Sequence, residues 1–291
     1  MIQDLLFAPF DLGFMRRALA GCVALSLAGP PLGVLLVLRR MSLTSDGLQH
    51  GILPGIALGA LLGGVTAGGM LPLWPMALGG FAAGLAVVLL AGWLARATGG
   101  REDSQLAALY LLALATGVAV ISATRGIDLA HVLFGNVLAV DRAGLLLMAG
   151  AATVSLAGLA VLWRPLVVES FDPDFLAAMG EAGAVWHLGF MALVVLCVVA
   201  GFAALGTLMS VGLMMVPAVA ARHLSLRLSG QVAAAVAVAL LSSLLGLMLS
   251  FHADVPAGPA IVLVAGLVWL GAMLLGPHAS LRARLAASRA A

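Results

Sequence analysis

The chain has 291 residues, of which 63% are hydrophobic and 9% charged, with a net charge of +2. That composition excludes a water-soluble domain, and so small a charge gives no reason to expect nucleic acid as a partner. All 14 basic residues are arginine and none is lysine. A P-loop needs a lysine to reach nucleotide phosphates, so this polypeptide carries none. It is expected not to be an enzyme, and any ATP that drives it is hydrolysed by another subunit.

A hydrocarbon core about 30 Å thick takes roughly 20 apolar residues per helix. Nine such segments follow one another, at residues 18–38, 42–64, 75–95, 104–124, 143–163, 185–205, 207–221, 231–251 and 258–275. Long apolar runs together with 36 glycines point to helices packed through small residues, not to a β-barrel. The expected fold is an all-α polytopic membrane protein with about nine transmembrane helices, or eight, forming a single transmembrane domain over 1–291. Pro217 interrupts the short seventh segment, which leaves a partial or re-entrant helix open there. Cys22 and Cys197 both fall in apolar runs and read as inert small hydrophobes. Asp4 and Asp11 stand where a secretory signal would have its basic start, so no cleavable signal is expected.

Arginine placement sets the expected orientation. With the amino terminus outside, the inner side holds Arg39, Arg40, Arg96, Arg101, Arg164, Arg222, Arg227, Arg282, Arg284 and Arg289. The outer side then holds only Arg16, Arg17, Arg125 and Arg142. This bias satisfies the positive-inside rule and puts the carboxyl terminus in the cytoplasm.

Within the second segment, Asp46 and His50 sit four residues apart, hence on one face of a helix. A carboxylate oxygen and an imidazole nitrogen stacked there make half a site for a borderline divalent cation such as zinc or manganese. Ionisable groups inside a bilayer are rare and mark an ion or substrate path by default. The alternative is a paired polar patch that only holds helices together. His50 lies ten residues beyond Arg40, about 15 Å at the helical rise, which is near the bilayer midplane. Gly51, Pro54 and Gly55 follow, so a kink or local opening is expected just beyond the pair. The spacing Gly51, Gly55, Gly59, Gly63 reads as a close helix-packing face.

The longest inner loop, 169–181, contains Asp172 as a helix cap, Pro173 at a first helical position and Asp174 against the helix dipole. A short helix follows, presenting Phe171, Phe175, Leu176 and Met179 and stopping near Gly180 or Gly183. Two readings remain open for it: a knob that docks another protein, or a helix lying flat on lipid. Glu102 and Asp103 read first as a helix start, with a metal exit as the sharper option. His252 and Asp254 fall on an outer loop, where ordinary loop polarity accounts for them. His131, His187, His223 and His278 read as interfacial residues without a second ligand. No His-Glu-x-x-His and no Gly-x-Ser-x-Gly pattern is present.

Several stretches, taken in order, resemble the permease subunits of bacterial ABC importers for zinc, manganese and related divalent metals. The first is Val37-Leu-Arg-Arg-Met-Ser-Leu-Thr-Ser-Asp-Gly-Leu-Gln-His-Gly-Ile-Leu-Pro-Gly-Ile-Ala-Leu-Gly59. Glu102-Asp103, Leu133-Phe-Gly-Asn-Val-Leu138, Phe171-Asp-Pro-Asp-Phe175, Val211-Gly-Leu-Met-Met-Val-Pro-Ala218 and Asp254-Val-Pro-Ala-Gly-Pro259 follow. They span nearly the whole chain, from near residue 14 to about 275; His252 departs from the family pattern.

The resemblance implies a pore-forming dimer of permease subunits in the bacterial inner membrane, two cytoplasmic ATP-binding subunits and an extracytoplasmic metal-binding protein. It implies that Asp46 and His50 line the path of the transported zinc or manganese near the dimer axis, with no resident cofactor. It also implies that 170–182 is the coupling helix, with Phe171, Asp172, Pro173, Asp174, Phe175, Met179 and Gly180 meeting the ATPase, which favours docking over lipid. Two subunits related by a two-fold axis would then gather two Asp46/His50 pairs around one cation. Other readings are a permease for a metal chelate or siderophore, a stand-alone ion-coupled secondary transporter, and a non-transporting scaffold.

Overall fold

The computed structural model describes residues 11–42, 44–64, 73–100, 102–123, 137–171, 183–278, 280 and 282. Among them are ten α-helices: α1 (Gly13–Leu38), α2 (Thr44–Gly51), α3 (Leu53–Gly63), α4 (Leu73–Thr98), α5 (Glu102–Ala123), α6 (Arg142–Phe171), α7 (Gly183–Leu205), α8 (Thr207–Leu224), α9 (Leu228–Ala253) and α10 (Ala257–Leu275). A 3-10 turn, Val137–Ala139, precedes α6. Helices satisfy every interior backbone group within their own segment, which is what hydrocarbon surroundings demand. Eight of them are long and apolar enough to cross a membrane; α2 and α3 are not.

The expected second span is thus two short helices that meet at Ile52. Pro54 has no N–H to offer the carbonyl of His50, four residues back, so the helical ladder loses a rung there. The bonds Ile52 N–H to Leu48 O and Ile56 N–H to Ile52 O, both 3.0 Å, keep the two pieces joined. The expected interruption at Pro217 does not occur: α8 runs for 18 residues through that proline. Neighbouring helices accommodate such a residue in a buried segment.

α1 lies at the centre and packs on α6, α7, α8 and α9, while α7 links it to α4. Small residues let these backbones approach. A side chain on Gly33 would run into the Met214 carbonyl of α8, and one on Gly55 of α3 into the Gly79 carbonyl of α4. Gly59 meets the Pro75 carbonyl in the same way, so the expected glycine face is real at Gly55 and Gly59. Buried hydroxyls add bridges, with Ser26 and Ser243 Oγ atoms 3.1 Å apart between α1 and α9, and Ser210 donating to Val198 O at 3.0 Å between α8 and α7. Both cysteines are free and buried, as their apolar runs suggest.

α6 continues past the apolar run, through Pro165, to Phe171. Glu169 and Ser170 therefore close a helix instead of opening a loop. Arg39, just past α1, holds this end. Its guanidinium pairs with Glu169 at 2.8 Å, donates to Ser170 Oγ at 3.1 Å and to Leu166 O at 3.2 Å, and lies 3.3 Å from His187 Nδ1. It also sits 4.8 Å over the Phe190 ring. Near the start of α1, Arg17 donates to Val140 O at 3.2 Å.

Candidate functional site

The chain leaves α1 through a tight turn in which Arg40 takes a left-handed φ of 60°. Met41 N–H bonds to Leu36 O at 2.9 Å and Thr44 N–H to Met41 O at 3.1 Å, which launches α2. Because of this turn, the distance counted as one straight helix from Arg40 is too long. His50 stands six residues into α2, about 9 Å beyond Thr44 at 1.5 Å per residue.

Ser45, Leu48, Gln49 and Ile52 are buried. Their spacing is that of one inward helical face, and α2 packs on α5, α7, α8 and α4. Asp46 is exposed and His50 half-buried. A carboxylate facing out of its own chain is costly against lipid, so this face suits a polar conduit or another protein surface. Asp46 is also in the first turn of α2, where the helix dipole favours a negative group.

Neighbours fix this helix tightly. The Tyr110 ring of α5 lies directly over Gly47, where no Cβ would fit, and its hydroxyl reaches Thr44 O at 3.4 Å. Gln49 Nε2 donates to Asp46 Oδ1 at 2.7 Å. His50 Nδ1 and Gln49 Oε1 are both buried and form no hydrogen bond among the described residues. Neither Gln49 nor Tyr110 was singled out from sequence. The three-residue step from Asp46 to Gln49 is a usable signal for a side-chain pair on a helix, whereas nothing in the sequence joins Tyr110 to Gly47.

The remaining candidates do not converge on this pair. His252 closes α9 with its ring edge-on to Phe251 at 5.3 Å. Asp254 is left-handed at φ 54° and lines a cavity of about 490 Å³ with Phe14, Met15, Leu138 and Phe251. His223 is near the end of α8, and its carbonyl accepts from His278 N–H at 3.2 Å. His187 belongs to the Arg39 cluster. α5 begins at Glu102, as its helix-start reading anticipated. His131 and Asp172, Pro173, Asp174, Phe175, Met179 and Gly180 lie outside the described residues, while Phe171 ends α6 with 69% of its surface exposed. Among the described residues, no three or more His, Cys, Asp or Glu side chains come together as a metal-holding group.

A model of the ABC 3 transport family matches residues 11–276. The chain belongs to that family. This ABC 3 chain is 29% identical over 266 residues to the manganese transport system membrane protein MntC of Halalkalibacterium halodurans, covering 91% of the chain and 88% of that protein. It is 28% identical over 278 residues to the manganese import system permease protein ScaB of Streptococcus gordonii, covering 95% and 96%. The structure of PsaBC from Streptococcus pneumoniae in complex with Fab superposes with a TM-score of 0.82 at 26% identity, covering 95% of this chain and 97% of that one.

Proposed function

We propose that the chain is the transmembrane permease subunit of an ATP-driven importer of divalent metal ions, manganese or zinc. The observation that carries this reading is the outward face of α2, where Asp46 and His50 stand one turn apart beside a proline break. Two such faces brought together about a two-fold axis would supply two carboxylates and two imidazoles to one cation. The names of the relatives favour manganese, and an Asp/His set suits zinc as well. Transport also demands release, so the ion is held transiently, between states open to one side and then the other.

The whole chain, 1–291, acts as one membrane domain in the bacterial inner membrane, amino terminus outside and carboxyl terminus in the cytoplasm. Segment 170–182, with Phe171, Asp172, Pro173, Asp174, Phe175, Met179 and Gly180, docks the partner ATPase. The exposed Phe171 ring at the end of α6 supports this, as does its place next to the Arg39 cluster. An extracytoplasmic metal-binding protein delivers the ion.

Reconstitution with the ATPase and the binding protein in vesicles tests the proposal. His50→Ala and Asp46→Ala should abolish ATP-dependent manganese(II) and zinc(II) uptake while complex assembly and ATP binding persist. Normal uptake by either variant rejects the site.

A further inference from the structure

Gln49 lies between Asp46 and His50 in sequence, three residues and so nearly one turn beyond Asp46, but is buried, with only 6% of its surface exposed. Its amide N–H nevertheless reaches Asp46 Oδ1 at 2.7 Å, the short contact of a charge-assisted hydrogen bond. Buried acceptors are usually satisfied as well, but Gln231 also donates through Nε2 and leaves a buried Oε1 unpartnered among the described residues, so it is the bond to an exposed carboxylate that sets Gln49 apart. Here Gln49 Oε1 has no partner among the described residues, and His50 Nδ1, on the next residue, has none either. The same glutamine thus holds one oxygen of an exposed carboxylate through its amide N–H.

We infer that Gln49 is a positioning residue of the cation path, one that biases the choice of metal toward manganese(II) over zinc(II). This rests on the reading of Asp46 and His50 as the ion's contacts. With Oδ1 tied to the Gln49 amide, the carboxylate is locked in one orientation and offers its other oxygen to the ion. Partners of this kind orient a metal's ligands, and their loss typically weakens binding by about 10–100-fold. Oxygen donors suit manganese, whereas imidazole suits zinc, so a weakened carboxylate costs manganese more. On intrinsic affinity manganese is the weaker binder of the two, so a site that carries it needs such a device.

The test is initial-rate uptake of manganese(II) and of zinc(II), each against concentration, by the assembled transporter with its ATPase and binding protein in vesicles. Gln49→Met keeps the length of the side chain and removes both donor and acceptor. It should raise the half-saturating manganese concentration by about tenfold and change that for zinc much less, leaving the maximal rate intact. The manganese-to-zinc ratio of these constants is the decisive readout, since a residue that merely packs would lower the amount of active complex without moving it. An unchanged ratio overturns the inference. Gln49→Asn, too short to reach Asp46 but still polar, should shift the ratio in the same direction and serves if the methionine variant does not assemble. Asp46→Ala in the same vesicles separates the two claims. Loss of both uptakes with an unchanged ratio in Gln49→Met removes only the role of Gln49, whereas normal uptake by Asp46→Ala removes the underlying site.

Discussion

Arg39 and Glu169, 130 residues apart, form an ion pair at 2.8 Å with side chains only 8% and 16% exposed. The pair ties the exit of α1, which leads directly into the helix of Asp46 and His50, to the end of α6, which leads directly into 170–182. Removing one partner of a buried pair leaves a stranded charge and costs about 3–5 kcal/mol. Arg39→Ala should therefore lower the unfolding midpoint of the detergent-solubilised protein markedly. Arg39→Lys should recover only part of the loss, because a single ammonium cannot also serve Ser170, Leu166 O and the Phe190 face.

Close packing of α3 against α4 gives a second prediction. A Cβ at Gly55 would meet the backbone of Gly79, and backbone cannot swing aside as a side chain can. Gly55→Val should cost at least the 1–3 kcal/mol typical of overpacking, about the upper end here. Gly150→Ala on α6, where nothing lies within 4 Å, should leave thermal stability unchanged or slightly raised. Parallel melting curves of the two variants check the contrast.

Pro54 marks where α2 stops and α3 begins. Pro54→Ala restores an N–H four residues beyond His50 and should fuse the two helices into one. The variant is expected to be at least as stable as the parent, yet slower in metal uptake, because His50 loses the local opening beside it. Uptake at the parental rate from a fused helix would separate the break from transport.

With no lysine anywhere in the chain, the purified polypeptide should hydrolyse no ATP alone. Phosphate release should appear only when the ATP-binding subunit is added.

Much of this was legible in the sequence because membrane helices announce themselves by length and apolarity, and because Asp46 and His50 are conspicuous in such a stretch. Pro54 signalled its break through the missing donor. Pro217 misled, since whether a proline ends a helix depends on its neighbours, and α8 is buried against α1. The reach of α6 to Phe171 was hidden because the hydropathy pattern stops at Arg164, while the helix is continued by contacts Arg39 makes from another part of the chain. The three-residue step from Asp46 to Gln49 was there to be read, but the burial of Gln49 was hidden for the same reason: it comes from packing across helices, which no local pattern records.

Pulsed EPR of manganese(II) loaded into the assembled, nucleotide-free transporter tests the central claim most directly. Directly bound imidazole should give strong nitrogen modulation in the parent, lost in His50→Ala and retained in His223→Ala. A bound manganese signal with no nitrogen modulation, or one indifferent to His50→Ala, would contradict the account.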